Sequence, residues 1–428
     1  MELLIEPRSG LRGEVVVPGD KSISHRAVMF AALAEGTTRI RGFLRGADCL
    51  STVTCMKDMG IRIDDHGDEL IVHGKGLCGI KEPSDILQVG NSGTTIRLLL
   101  GVLSGRGNYA VLTGDESICR RPMGRVITPL TQMGATIYGR AGDTLAPVVI
   151  KANSPLHPIT YYSPVASAQV KSAILLAGLY TNGQTTVVEP TLSRDHTERM
   201  LRTFGAKVVT TGNQSTVWGK ALLKSPGLIE VPGDISSAAF LLVAGCIVPN
   251  SDITLKGVGI NPTRTGILDV LREMGAELSI QNLREQGGEP VADLRVRTSR
   301  LCGTNISGNI LPRLIDEIPV LAVAAAVADG PTVISDAAEL RVKETDRIKT
   351  ISTEFLKMGI VVEEKADGLV IPGNGTFSGG ECESHNDHRI AMAMAVAGLI
   401  ARQPTMIRNA ASIDVSFPGF ENLLKGLS

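Results

Sequence analysis

Aromatic residues are scarce in this chain, 3% of 428 positions, with one Trp, five Tyr and eight Phe. That is too few to build stacking platforms for bases. Charge of one sign is also lacking: 43 Lys and Arg stand against 44 Asp and Glu, so no basic excess invites nucleic acid. The seven cysteines (49, 55, 78, 119, 246, 302 and 382) are odd in number and include no CxxC pair. This excludes a disulfide framework and a paired-cysteine zinc site, and it points to a reducing, cytoplasmic setting. Long hydrophobic runs are missing too. The longest, such as AAFLLVAGCIV (238–248), fall well short of the ~20 residues that span a bilayer, so no membrane association is expected. No apolar stretch follows a basic start in MELLIEPRSG, so no secretion signal is expected. With 43% apolar and 20% charged residues, the composition is that of a globular chain large enough for two domains.

What the chain has in abundance is repetition. One phrase, an apolar residue, two others, then Met-Gly or Phe-Gly and a strand, occurs as MKDMGIRI, LTQMGATI, LRTFGAKV, LREMGAEL and FLKMGIVV. Its glycines fall at 60, 134, 205, 275 and 359, where each suits a helix C-terminus that needs a left-handed residue. A second phrase recurs six times in step with it: an apolar helix, a turn, then a β-branched strand, as in KSAILLAGLYTNGQTTVV and IPVLAVAAAVADGPTVI. Six units of about 70 residues follow, each mixing helices and strands. Helices apolar almost all round belong in the middle of a lobe, with strands outside them. The near-copies VVVPGDKSISHR (15–26) and IEVPGDISSAAF (229–240) bracket the first three units. They predict one lobe, 19–231, inserted into another made of 1–18 and 232–428. The active site is expected in the cleft between the lobes.

The apolar helices begin at DKSISHR, GNSGTTIR, SAQVK, GDISS, IDEIP and HNDHR. Ser, Asp and Asn cap free N–H groups there. Capping does not explain Lys21, Arg26, Lys171 and Arg389, because a cation at a helix N-terminus opposes the helix dipole. A bound anion would reverse that sign; internal ion pairs would also offset it. Basic and acidic residues recur in the strand-to-helix loops GDESICRRPM, SRDHTERM, NPTRTG and ELRVKETDR, and Pro122 suits the first position of a helix. In the last loop seven of the eleven residues from Glu339 to Lys349 are charged, four cations and three anions. The implied ligands are small molecules carrying phosphate and carboxylate.

PGDKSISHR, GNSGTTIRL, RRPM, SAQVK, RVKETDR and NDHR, in that order along essentially the whole chain, resemble the motifs of the 5-enolpyruvylshikimate-3-phosphate (EPSP) synthase family. GDKS, SAQVK, RDHTE and NPTR resemble its class II subgroup, associated with tolerance of glyphosate. The resemblance implies a two-lobed inverse α/β barrel of six βαβαββ repeats. It also implies transfer of the enolpyruvyl group of phosphoenolpyruvate to the 5-hydroxyl of shikimate 3-phosphate, with release of phosphate, on the way to chorismate. Carried onto matching positions, it assigns shikimate 3-phosphate to Lys21, Ser22, Arg26, Ser167, Gln169, Arg194, Asp316 and Lys343. Phosphoenolpyruvate falls to Lys21, Gly93, Arg121, Gln169, Arg347 and Arg389, where guanidinium forks suit bidentate grip. Catalysis falls to Asp316, Glu344 and Lys21. Two proton transfers are needed, and a carboxylate placed among cations suits either. No metal and no organic cofactor are expected; glyphosate is an expected inhibitor, and a monomer is expected.

Two positions depart from many relatives. Val415 stands where they carry a Lys before Phe-Pro, and Ala168 where they carry Ser; both fit class II. The related UDP-N-acetylglucosamine enolpyruvyl transferases place a Cys five residues before the Arg of their Arg-Pro loop. Here Glu116 holds that place and Cys119 lies two before Arg121, which argues for the shikimate acceptor.

Overall fold

All five Met-Gly and Phe-Gly glycines end helices in left-handed backbone, with φ from 81° to 99°. The helices are Ala47–Asp58, Gly124–Gln132, His196–Thr203, Gly266–Glu273 and Arg347–Lys357, and a strand begins within four residues of each glycine. These amphipathic helices bury one face, as Arg347–Lys357 does with Ile348, Ile351 and Phe355. The structure, a computed structural model, describes residues 1–151 and 155–427.

Six further helices are apolar on every side and lie inside the cores. They are α1 (Lys21–Leu33), α2 (Gly93–Arg106), α3 (Ala168–Gly178), α4 (Ile235–Ile247), α5 (Ile318–Val327) and α6 (His388–Gly398). In α1 every residue from Ile23 to Leu33 is buried, and in α4 every residue from Ile235 to Cys246. Each large aliphatic side chain so buried contributes roughly 1.5–3 kcal/mol, and this sum sets the helices at the centre.

The chain divides into two compact units. An inserted unit comprises Gly19–Val231 with the four residues Gln286–Glu289; a discontinuous unit comprises Met1–Pro18, Pro232–Glu285 and Pro290–Ser428. The inserted unit carries α1 to α3 under three four-stranded sheets. Each pairs one strand in parallel and the others antiparallel. In the first sheet the late strand Leu228–Glu230 lies parallel to Glu35–Arg41, with Ile229 opposite Ile40, so the last strand of the insertion completes its first sheet. The discontinuous unit carries α4 to α6. There Arg12–Val16 runs parallel to Asp252–Gly259, with Val15 opposite Leu255, and the N-terminal segment completes the fourth repeat's sheet.

The sixth repeat breaks the pattern. Its sheet has three strands, Leu3–Ile5, Thr405–Arg408 and Gly380–Glu383. The N-terminal strand pairs antiparallel there, Leu4 opposite Met406, and takes the place that a hairpin partner holds elsewhere. After Arg408 the chain turns into the 3-10 segment Ala410–Val415 and the helix Phe420–Gly426 instead. The whole is an α/β fold of buried helices inside six small sheets, the inverse α/β barrel arrangement. No helix among the described residues is long and apolar enough to cross a membrane.

Candidate active site

In the inserted unit the starts of α1, α2 and α3 converge through side-chain bonds. Asp20 caps α1, its Oδ1 accepting from the Ile23 amide at 2.8 Å, and Lys21 opens the helix. The Lys21 ammonium pairs with Asp48, in the first turn of Ala47–Asp58. Ser92 and Ser167 cap α2 and α3. Gln169 joins those two starts: its Oε1 accepts from Arg97 and its Nε2 donates to Thr94 Oγ1 at 3.0 Å. Arg97 also donates to the Pro122 carbonyl at 3.1 Å, which anchors the Arg-Pro loop. Arg121, in that loop, donates to Asn91 Oδ1 at 2.6 Å, and Asn91 donates to Asp115 at 2.7 Å. Gly93 lies between these arginines. A Cβ there would stand 2.9 Å from Arg97 Nη1 and 3.3 Å from Arg121 Nη1, so the missing side chain leaves room for both guanidinium groups. Ser22 and Arg194 are half-buried.

Arg26 lies deep, at 3% exposure. It donates to Thr197 Oγ1 (2.7 Å), Ser172 Oγ (2.9 Å) and the Ser22 carbonyl (2.9 Å), tying α1 to α3 and to His196–Thr203. Burial pulls its pKa down to about 10, against the pull of Glu198 and Asp20. Of the two explanations open for Lys171, a bound anion or internal ion pairs, the second holds: its ammonium lies at 1% exposure, 2.9 Å from both Glu189 and Glu198. Those carboxylates follow Gln184–Val188 and sit in His196–Thr203, and they supply the counter-charge from within. Pro122 precedes its helix, which opens at Gly124.

In the discontinuous unit five predicted residues form one ionic network around Arg347. Its guanidinium has no exposed surface. It donates to Asp387 Oδ2 (2.8 Å), Glu344 Oε2 (2.6 Å) and Asp316 Oδ1 (3.3 Å). Burial alone would lower its pKa, but Asp387, Glu344 and Asp316 outweigh burial and hold it above the ordinary arginine range. Asp387 caps α6 through the Arg389 amide at 2.9 Å. Burial works against its charge, yet the Arg347 cation keeps its pKa below the ordinary carboxylate range. Lys343 reaches Asp316 Oδ1 at 3.5 Å, and Arg389 donates to the Asp316 carbonyl at 3.1 Å. The charged run 339–349 thus separates into different tasks. Arg341 binds Asp346 and Glu364, Lys343 and Arg347 meet Asp316, and Lys349 is exposed.

Sequence reasoning missed Asp48, Arg97 and Glu317 as site residues. Arg97 lay within a quoted motif, one helical turn beyond Gly93, and that spacing was the available signal. Asp48 and Glu317 have no local signature; Glu317 binds Ser236 and stands 3.9 Å from Arg389. No group of three His, Cys, Asp or Glu suited to a metal ion occurs among the described residues, and all seven cysteines are free thiols.

The EPSP synthase (3-phosphoshikimate 1-carboxyvinyltransferase) family model matches residues 5–424. A 3-phosphoshikimate 1-carboxyvinyltransferase of Pelotomaculum thermopropionicum is 57% identical over 426 residues, covering 99% of this chain and 98% of its own. The protein of the same name from Desulforamulus reducens is 55% identical, with 99% of each chain covered. Among solved structures, an EPSP synthase from Acinetobacter baumannii superimposes with a TM-score of 0.88 at 46% identity, over 99% of this chain and 97% of that one.

One buried group makes the inserted unit sensitive to acid. His25, on α1, pairs its Nδ1 with Thr52 Oγ1 at 2.7 Å; Thr52 pairs with Thr95, and Thr95 with the α2 cap Ser92, each at 2.7 Å. Burial, helped by the charge of Lys21, lowers the His25 pKa from 6.5 to about 3. The unfolded chain therefore takes up this proton below pH 6.5 while the folded chain refuses it until about pH 3. Stability present above 6.5 should fall by roughly 1.4 kcal/mol per pH unit below it, on the order of 2 kcal/mol by about pH 5. Urea unfolding of wild type and His25→Gln across that range checks this: the gap between them should change by that amount, and parallel losses would refute it.

Proposed function

This chain belongs to the EPSP synthase family, and from that premise we infer that it transfers the enolpyruvyl group of phosphoenolpyruvate to the 5-hydroxyl of shikimate 3-phosphate. It is a 3-phosphoshikimate 1-carboxyvinyltransferase of the shikimate pathway, serving chorismate and aromatic amino acid biosynthesis. The feature that best supports a catalytic reading of this chain's own residues is the Arg347 network. It holds two carboxylates, Asp316 and Glu344, on one buried guanidinium, each by a direct bond. A site that must move two protons at two atoms needs two separately placed acid–base groups.

The roles are those that the family resemblance implies for the matching residues. Asp316 accepts the proton of the 5-hydroxyl as its oxygen forms a bond to C2 of phosphoenolpyruvate. Glu344, entering in its protonated form, delivers a proton to C3, giving a tetrahedral intermediate. Loss of phosphate from C2 then returns the C3 proton to Glu344 and restores the double bond, and the proton held by Asp316 leaves with the phosphate. Lys21 or Lys343 serves as proton partner. Lys21, Ser22, Arg26, Ser167, Gln169, Arg194, Asp316 and Lys343 bind shikimate 3-phosphate. Lys21, Gly93, Arg121, Gln169, Arg347 and Arg389 bind phosphoenolpyruvate, its carboxylate and phosphate taking the guanidinium forks. We propose that the enzyme acts in the cytoplasm, a reading supported by its seven free thiols, and that it acts as a monomer. Glyphosate competes for the phosphoenolpyruvate residues, and Ala168 and Val415 agree with the pattern of the tolerant subgroup.

The deciding experiment is phosphate release from phosphoenolpyruvate with shikimate 3-phosphate in one tube and UDP-N-acetylglucosamine in another. Release with shikimate 3-phosphate alone is expected. Release with the sugar nucleotide alone would overturn the acceptor, and silence in both would overturn the activity. Glu344→Gln should bind both ligands and lose turnover by about 10²–10⁴-fold, the usual weight of one acid–base group; near-normal turnover would remove Glu344 from its role. Glyphosate titration at low phosphoenolpyruvate should show weak inhibition, and micromolar potency would contradict tolerance.

A further inference from the structure

Lys171, Glu189 and Glu198 form a buried triad that belongs to none of the binding roles above. Their side chains are at most 1% exposed. The ammonium of Lys171 lies 2.9 Å from Glu189 Oε2 and 2.9 Å from Glu198 Oε1, and it donates to the Ser193 carbonyl at 3.3 Å. Burial alone would strip that charge, but Glu198 and Glu189 more than offset it and hold the ammonium above the ordinary lysine range.

The two carboxylates face different segments. Glu189 accepts from the Ser167 amide through Oε1 at 3.0 Å, and from the Ser193 amide and hydroxyl through Oε2 at 3.1 and 2.9 Å. One carboxylate therefore fixes the backbone at the α3 cap and the backbone just before Arg194. Glu198 accepts from Ser215 Oγ at 2.9 Å, and the preceding residue, Thr197, accepts from Arg26 Nε at 2.7 Å. Ser167, Arg194 and Arg26, three residues assigned to shikimate 3-phosphate, thus hang on one ion triad whose members touch no assigned ligand.

We propose that Lys171 and Glu189 are positioning residues for the shikimate-phosphate residues, setting Ser167, Arg194 and Arg26 in register. This rests on the reading given under the proposed function. A purely structural triad would hold the fold up without favouring one substrate over the other. A positioning triad acts selectively, because Ser167, Arg194 and Arg26 are assigned to shikimate 3-phosphate alone, whereas Arg121 is held by Asn91 and Gln169 by Arg97 and Thr94.

The test uses full-length Glu189→Gln, and Lys171→Met combined with Glu198→Gln, which removes one charge of each sign. Amide hydrogen exchange at Ser167 and Ser193 reads the anchor without any activity. Both amides should exchange at least about tenfold faster in Glu189→Gln, where the charged acceptor is lost, and in the double variant, where Glu189 keeps its charge but loses the ammonium that holds it in place. In kinetics, KM for shikimate 3-phosphate should rise by about tenfold or more while KM for phosphoenolpyruvate moves less than about threefold. A lowered melting temperature with both KM values unchanged, or with both raised equally, would overturn the proposal, as would unchanged exchange. If exchange accelerates but wild type releases no phosphate with shikimate 3-phosphate, the anchor stands and the functional reading fails instead.

Discussion

The burial of Arg347 constrains more of the discontinuous unit than any other contact. Taking a guanidinium fully out of water costs several kcal/mol, and only well-aimed carboxylates offset that cost. Three do so here, and they come from three places: Asp316 before α5, Glu344 in the loop before Arg347–Lys357, and Asp387 at the cap of α6. A planar fork with five donors can serve all three at once, whereas a lysine ammonium is a single point charge on a flexible stem. The starts of two core helices and the charged loop are therefore held by one side chain. Asp316 and Glu344 gain fixed positions as a consequence, and placement ahead of reaction is what acid–base and electrostatic catalysis require.

The inserted unit meets the same problem with other residues. Lys171 and Arg26 sit near helix N-termini, where the dipole opposes them. Glu189 and Glu198 neutralise Lys171, and Glu198 also draws on Arg26. Two cations and two anions are thus buried together with no net charge. The arrangement explains why cations at helix starts persist in a folded chain without invoking a ligand for each of them.

Much of this was legible in the sequence, and the limits have a physical cause. The Met-Gly phrases and the all-apolar helices are local signals, since a left-handed glycine or a helix without a polar face states its own environment. The charged loop at 339–349 was legible as a site, and Asp316, Lys343, Glu344, Arg347 and Arg389 do gather in one network. The ion partners of Lys171 were not legible, because they stand 18 and 27 residues away in the next strand-to-helix segment, where only the fold brings them near. Asp48 escaped for the same reason, 27 residues beyond Lys21. The three-stranded sheet of the sixth repeat escaped because the three-residue strand Leu3–Ile5 carries too little alternation to declare its partner. The grouping of Gln286–Glu289 with the inserted unit also lay beyond pattern: the stretch reads as an ordinary hairpin turn, yet Glu289 meets His196 at 2.7 Å.

A difference between the units follows from their helix caps. In the discontinuous unit, Asp234, Glu317 and Asp387 stand at the N-caps of α4, α5 and α6, so carboxylates already meet the positive ends of the dipoles. Among the three core helices of the inserted unit only α1 has an acidic cap; Ser92 and Ser167 cap α2 and α3 with neutral oxygens. The α3 cap amide meets Glu189 from the next segment, whereas the start of α2 pairs its neutral cap with Arg97 and Arg121 beside it. Such a surface favours an arriving phosphate or carboxylate. The acid-capped unit favours the opposite service, presenting carboxylates that can take up and return protons. On this reading, phosphate and carboxylate binding weighs more on the inserted unit and proton transfer on the discontinuous one. The choice of serine or acid at six helix caps is where that division is written.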